Sequence, residues 1–261
     1  MSADDQALRL AGEIARDRAG ADVPASALAR LEALERATAR ANVQDFLHEM
    51  IMKEFAGRIA VVSSFGAEAA VLLHQVAKVD PSTPVVFLDT GMHFPQTLQY
   101  KEEITKFLGL TDVRSIRPEM GPLSAEDPDD TLWQWDTDRC CHIRKVLPLE
   151  RALDGFDAWI NGRKQMHGGA RARLPRIEVG GSRVKLNPLA TWTRDDVENA
   201  FRVHGLPRHP MVAQDYFSIG CWPCTSPGTK TDVRSGRWAG SDKTECGIHL
   251  PRRPRVAVGH S

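Results

Sequence analysis

The chain has 261 residues, 42% of them hydrophobic and 26% charged, and its 34 basic residues balance 34 acidic ones. Such a composition suits one buried core with appendages; zero net charge gives no global field to gather nucleic acid or membrane, and no apolar run approaches the ~20 residues of a membrane span. The acidic opening Met-Ser-Ala-Asp-Asp-Gln lacks the basic and apolar regions of a signal peptide, so the expected location is the cytoplasm, where five cysteines read as ligands and a reactive thiol rather than disulfides.

From Gln6 to about Phe55 the chain is rich in Ala, Leu, Glu and Arg, and Leu28, Leu31, Leu34, Phe46 and Met50 recur at helical spacing, which predicts helices packed outside the core. Ile59 to Ser64 is an apolar run ending in small polar residues. A tight loop, Phe65-Gly66-Ala67-Glu68, leads from it into a helix over 69–76. The pattern repeats as a strand over 84–88, a loop Asp89-Thr90-Gly91 and a helix over 95–107, and this alternation implies a parallel sheet covered on both faces. Val113 to Ile116 is a third strand, and 118–130, with Pro118, Pro122 and Pro128, is expected to be a polar loop. Asp138 is positioned to cap a helix over 139–153 that carries Cys140 and Cys141 in its first turn. A fourth strand over 158–161 precedes the basic, glycine-containing stretch 162–173, expected to be a mobile loop. Residues 177–179 and 184–186 form a hairpin across Gly180-Gly181, and Thr193 with Asp196 makes a capping box for a helix ending near His204 and Gly205. The division expected is a helical segment 1–56, a nucleotide-binding α/β domain 57–235 with the metal site, and a tail 236–261.

The chemistry concentrates in the cysteines. Cys221 and Cys224 form a CxxC pair, and a second pair, Cys140 and Cys141, completes a four-thiolate set suited to zinc or an iron–sulfur cluster. Adjacent side chains diverge too much to meet comfortably on one zinc ion, whereas the separate iron corners of a cluster accept them. A redox dithiol, or four small buried hydrophobes, are the alternatives. Ser63-Ser64-Phe65-Gly66-Ala67-Glu68 lies at a strand's carboxyl end, where backbone N–H groups and hydroxyls hold anions, although a merely tight turn would look alike. Lys145, Arg171, Arg234 and Arg237 supply cations suited to phosphate or sulfate oxygens, or else solvated surface charge. The leftover Cys246 sits near Gly236 and Gly240, which are expected to loosen the segment so that the thiol can close over a substrate.

Together Ser-Ser-Phe-Gly-Ala-Glu, Leu-Asp-Thr-Gly, Cys-Cys-His-Ile-Arg-Lys-Val, Ile-Gly-Cys-Trp-Pro-Cys-Thr, Gly-Arg-Trp and Glu-Cys-Gly-Ile-His resemble the ordered motifs of the assimilatory adenylyl-sulfate reductases, over roughly 59–250. Those enzymes stand with the phosphoadenylyl-sulfate reductases in one thioredoxin-dependent family. The resemblance implies an adenine nucleotide alpha hydrolase-like (PP-loop) fold with N-terminal helices and a mobile C-terminal tail. It implies a [4Fe-4S] cluster on Cys140, Cys141, Cys221 and Cys224, and a nucleophile at Cys246. Adenosine 5′-phosphosulfate would be held by Ser63, Ser64, Phe65, Gly66, Ala67, Glu68, Leu88, Lys145, Arg163, Arg171, Arg234 and Arg237. His249 joins that set, to orient the tail or tune the thiol, with an uninvolved polar residue as its alternative. Residues 162–171 depart from the family's usual Arg-Arg-x-Gln-Ser-Pro-x-x-Arg form, and Glu68 stands where Asp is common. The implied reaction yields sulfite and AMP through an S-sulfocysteine, with reduced thioredoxin as partner, in sulfate assimilation and cysteine biosynthesis. No nucleic acid or membrane partner is expected, and assembly with like chains stays open. Other readings are reduction of the 3′-phosphorylated nucleotide and a zinc-stabilised nucleotide- or RNA-binding module; the latter has no use for a mobile thiol. An ATP pyrophosphatase would want Ser-Gly-Gly-x-Asp-Ser where this loop has one glycine.

Overall fold

Six strands order as β3-β2-β1-β4-β6-β5 in a computed structural model that describes residues 25–180 and 183–249. Expectations for the chain before residue 25, for Gly181, and for the Arg-rich end beyond His249 lie outside the described residues. The strands are β1 (Ile59–Val62), β2 (Val85–Leu88), β3 (Val113–Ile116), β4 (Ala158–Ile160), β5 (Ile177–Gly180) and β6 (Arg183–Leu186). All neighbours pair in parallel except β5, which runs antiparallel to β6 as the hairpin reading requires.

Two-residue periodicity divides the sheet's faces. Ile59, Val61, Val85, Phe87, Ala158 and Ile160 enter one core cluster, while Ala60, Val62, Val86, Leu88 and Trp159 enter another on the opposite side. The first cluster is covered by α1 (Ala25–Thr38), α2 (Val43–His48) with the π turn Glu49–Glu54, α3 (Ala69–Ala77), α4 (Pro95–Leu108) and α8 (Arg194–Val203). Phe46, Met50 and Phe55 are fully buried there, so the N-terminal helices are part of the principal core and not outside it. Their apolar stripe has no other surface to bury against. Among the described residues no helix is long and apolar enough to cross a membrane.

Two expectations between β3 and β4 change. The polar loop contains α5 (Met120–Glu126), an exposed helix that tolerates Pro122 because its missing N–H falls in the first turn. The predicted helix over 139–153 is a continuous helical run: α6 (Thr137–Cys141), a π turn over His142–Val146, and α7 (Leu147–Ala152). Its cap is Asp136, which accepts the Arg139 N–H at 2.8 Å, and not Asp138, which instead pairs with Lys243 of the tail. Pro148 removes a donor just beyond the π turn, where Leu147 N bonds His142 O five residues back. The capping box on Thr193 and Asp196 forms as expected.

Candidate functional site

The carboxyl ends of β1, β2 and β4 open on a cavity of about 210 Å³, bounded on its other side by residues 217–220, just before the CxxC pair, and by the tail. Ser63, Ser64, Gly66, Ala67, Glu68 and Leu88 line it, as expected, but Phe65 does not. Phe65 adopts a left-handed backbone (φ +48°), and its ring packs edge-on against Phe87 in the core, 5.7 Å between centroids. Its N–H goes to Ser63 Oγ at 3.2 Å, so this residue shapes the loop from beneath. Gly66 leaves room above: a Cβ there would lie 3.0 Å from the Ile219 carbonyl oxygen.

Residues 162–173 carry two 3₁₀ turns and are partly buried, with Lys164 at 2% and Arg171 at 9% exposure while residues 169, 170, 172 and 173 are exposed. Lys164 Nζ reaches Glu68 Oε2 at 2.7 Å, and His167 Nε2 reaches the same oxygen at 3.2 Å. Burial alone would raise the Glu68 carboxyl, but Lys164 and His167 outweigh it and hold the group well below the usual carboxylate range. Arg163 lines the cavity, yet its fork is taken up by Glu178, Asn161 and Asn187, which departs from a role as a free anion ligand. Neither Lys164 nor His167 was singled out in the sequence, because their partner Glu68 is 96 and 99 residues away.

The cysteines separate by direction. Cys140 lies with Cys221 and Cys224; desolvation, the larger effect, and those neighbouring thiols push Cys140 up to about 11. Cys141 stands instead beside Cys246. Such divergence is what adjacent positions in one helical turn dictate. Thr90 Oγ1 sits 3.2 Å from Cys221 Sγ, and Trp222 N donates to Met92 O at 2.8 Å, stitching the CxxC segment to the end of β2. Arg144, 3% exposed, braces the same corner through Asp127 Oδ2 (2.7 and 3.0 Å) and Thr90 O (2.8 Å).

Lys145 is the cation shared by the thiols. Desolvation opposes its charge, but Cys221, Cys246 and Cys141 together push it above its ordinary value. Cys246 in turn is drawn well below the usual thiol range, first by the Cys141 thiol beside it, against burial, and then by Lys145. Arg237 Nε donates to Cys224 O at 3.2 Å, and its guanidinium lies 4.4 Å from the Trp238 ring centroid. Arg171 grips Glu245 with two bonds of 2.6 and 2.8 Å, and Arg234 stands 3.7 Å from the same carboxylate.

The tail rests on the domain through its last described turn. Ile248 packs against the Leu88–Trp159 cluster, and the His249 ring stacks on Trp159 at 5.9 Å and 10°. Burial, with Lys185 and the nearby arginines, keeps that imidazole neutral, and its Nδ1 has no partner. Gly236, expected to loosen the tail, is instead a packing requirement: a Cβ there would lie 2.0 Å from the Ser226 carbonyl oxygen.

Comparison with known proteins follows from this geometry. The family model for the phosphoadenosine phosphosulfate reductase domain matches residues 58–227. An adenosine 5′-phosphosulfate reductase of Mesorhizobium japonicum is 46% identical over 238 residues, covering 91% of this chain and 89% of that one. Another, from a Chelativorans species, is 51% identical over 196 residues, covering 75% and 80%. The crystal structure of a phosphoadenylyl-sulfate reductase from Candida auris, in a phosphate complex, superposes with a TM-score of 0.64 at 24% identity, covering 75% of this chain and 96% of that one. Yeast FAD synthetase shares the fold at a TM-score of 0.50 and 16% identity, covering 85% and 75%.

Proposed function

The chain belongs to the phosphoadenosine phosphosulfate reductase family, and from that premise we propose that it reduces adenosine 5′-phosphosulfate to sulfite and AMP, with reduced thioredoxin as electron donor. The names of the relatives at 46% and 51% identity support the unphosphorylated nucleotide. The observation that carries the reading is Cys246. Its thiol and the Lys145 ammonium line one cavity, whose floor is the strand-end loop Ser63 to Glu68.

The Cys246 thiolate attacks the sulfate sulfur, the bond from that sulfur to the phosphate oxygen breaks, and AMP leaves with the electron pair. Lys145 and Arg237 line the same cavity, and their positive charges would stabilise the charge that builds on the departing oxygens and the sulfonate. One thiolate of the donor dithiol then attacks Cys246 Sγ and sulfite leaves; the second closes the donor's disulfide and frees Cys246, so two electrons pass from dithiol to sulfur.

The four paired cysteines fit an iron–sulfur cluster. All are buried free thiols, and a cluster, with its separate iron corners, accepts thiolates spread around a volume. Trp238 Nε1 is buried without an acceptor, in a residue whose backbone N–H bonds Cys224 O. Cys140, Cys221 and Cys224 are grouped, and Cys141 would complete the set by turning from Cys246. When bound, the cluster would supply an anionic body that keeps the neighbouring Lys145 charged, and that cation, not the cluster, would help to hold and polarise the sulfate.

Mass spectrometry tests the chemistry. Enzyme mixed with adenosine 5′-phosphosulfate and no thioredoxin should carry one added sulfonate on Cys246. A single turnover that yields AMP without that adduct would overturn the covalent route.

A further inference from the structure

The residue before the nucleophile occupies the arginines that an anionic substrate needs. Glu245, 6% exposed, takes both arms of Arg171 at 2.6 and 2.8 Å, lies 3.7 Å from Arg234, and accepts the Cys246 N–H at 2.9 Å. Arg171 has no second fork to offer, because its remaining nitrogen contacts His167 Nδ1 at 3.2 Å. A carboxylate and a phosphate or sulfate present similar pairs of acceptor oxygens to a guanidinium, so the two compete for one place. The same cavity of about 210 Å³ is lined by Arg171, Arg234, Glu245 and Cys246 together, so a ligand reaching the arginines meets the carboxylate already on them.

We propose that Glu245 is a built-in occupant of the Arg171–Arg234 anion subsite, and a positioning residue that exchanges with the anionic group of the substrate. While the subsite holds no ligand, the carboxylate neutralises the two arginines and holds Cys246 in place through its backbone N–H. An incoming phosphate or sulfate oxygen takes the arginine fork, Glu245 is expelled, and Cys246, one peptide away, is released from that position. Departure of the product anion restores the internal pair. The identity of the nucleotide rests on the reductase reading above; the exchange itself does not.

Two measurements on full-length, cluster-loaded protein test the exchange. In a Cys246→Ser background, which cannot turn over, Glu245→Gln keeps the side chain's size and its acceptor for the Cys246-position N–H while removing the charge. Binding of inorganic pyrophosphate and of adenosine 5′-phosphosulfate, read by calorimetry, should tighten by about tenfold, the apparent gain when an internal competitor that fills most sites is removed. A merely structural latch predicts unchanged or weaker binding, and that result for pyrophosphate overturns the proposal. In protein with neither substitution, pyrophosphate should accelerate alkylation of Cys246 by iodoacetamide; no acceleration also overturns it. Tightened pyrophosphate binding with no nucleotide binding at all would uphold the exchange while rejecting the nucleotide reading.

Discussion

At Gly220 an added Cβ would lie 2.5 Å from Nη2 of Arg237, whereas at Gly236 it would lie 2.0 Å from the backbone oxygen of Ser226. The first neighbour is the end of a flexible side chain and moves; the second is main chain and does not. Gly220→Ala should therefore leave the fold intact and push the Arg237 guanidinium off the Cys224 carbonyl. The expected loss is about 1.5–3 kcal/mol in kcat/KM, the range for hydrogen bonds to charged groups. Steady-state kinetics beside a melting curve checks this: an unchanged kcat/KM would remove Arg237 from the site, and a collapsed Tm would place Gly220 with Gly236 as a backbone requirement.

The run α6–π turn–α7 is the element on which the site hangs. It directs Cys140 toward the CxxC pair, Cys141 and Lys145 toward Cys246, and Arg144 into a buried pair with Asp127 whose side chains are 4% and 1% exposed. Arg144 also pairs with Asp130, whose side chain is 70% exposed, so removing Asp127 leaves the buried guanidinium a solvent-screened partner, at a cost of about 1–3 kcal/mol. Asp127→Ala should lower the unfolding free energy by that amount, and it should also lower the iron content expected of the proposed cluster, because Arg144 bonds the Thr90 carbonyl and Thr90 hydroxyl meets Cys221. A variant with full iron and wild-type stability would sever the brace from the metal site.

For the molecule as a whole, part of the acid sensitivity lies far from the site, at His209, besides the site's own His249, which burial also holds neutral. His209 Nδ1 accepts the Met211 N–H at 3.2 Å and its Nε2 meets Thr97 Oγ1 at 3.0 Å, under the Tyr100 ring, so a second proton has no place to go. Burial draws this imidazole from 6.5 down to about 4, and burial with His204 and Lys78 does the same for His74. Above pH 6.5 both states carry neutral rings and nothing is lost. Below it the unfolded chain binds the extra proton first, so stability falls from about pH 6.5 until about pH 4, where the folded ring also protonates, by roughly 3 kcal/mol for His209. His209→Gln should flatten that limb in urea titrations across the window, whatever its effect at neutral pH. An unaltered slope would assign the acid limb to other groups.

What the sequence determined was what contiguous residues encode. The runs 59–62 and 85–88, the helices after them, the hairpin about Gly180 and the Thr193 capping box follow from periods and caps within a few residues, and each is present. The cysteine pairs and the anion loop were legible as motifs for the same reason. Tertiary structure alone decided the rest, because it turns on partners distant in sequence. Arg171 and Glu245 are 74 residues apart, so nothing local warned that the tail would occupy the arginine fork. Phe65 turned inward because the facing strand supplies Phe87, and 162–173 became partly buried because Glu68 lies across the cavity to receive Lys164 and His167. The N-terminal helices joined the main core because one face of the sheet was otherwise uncovered, a vacancy that no stretch of sequence records by itself.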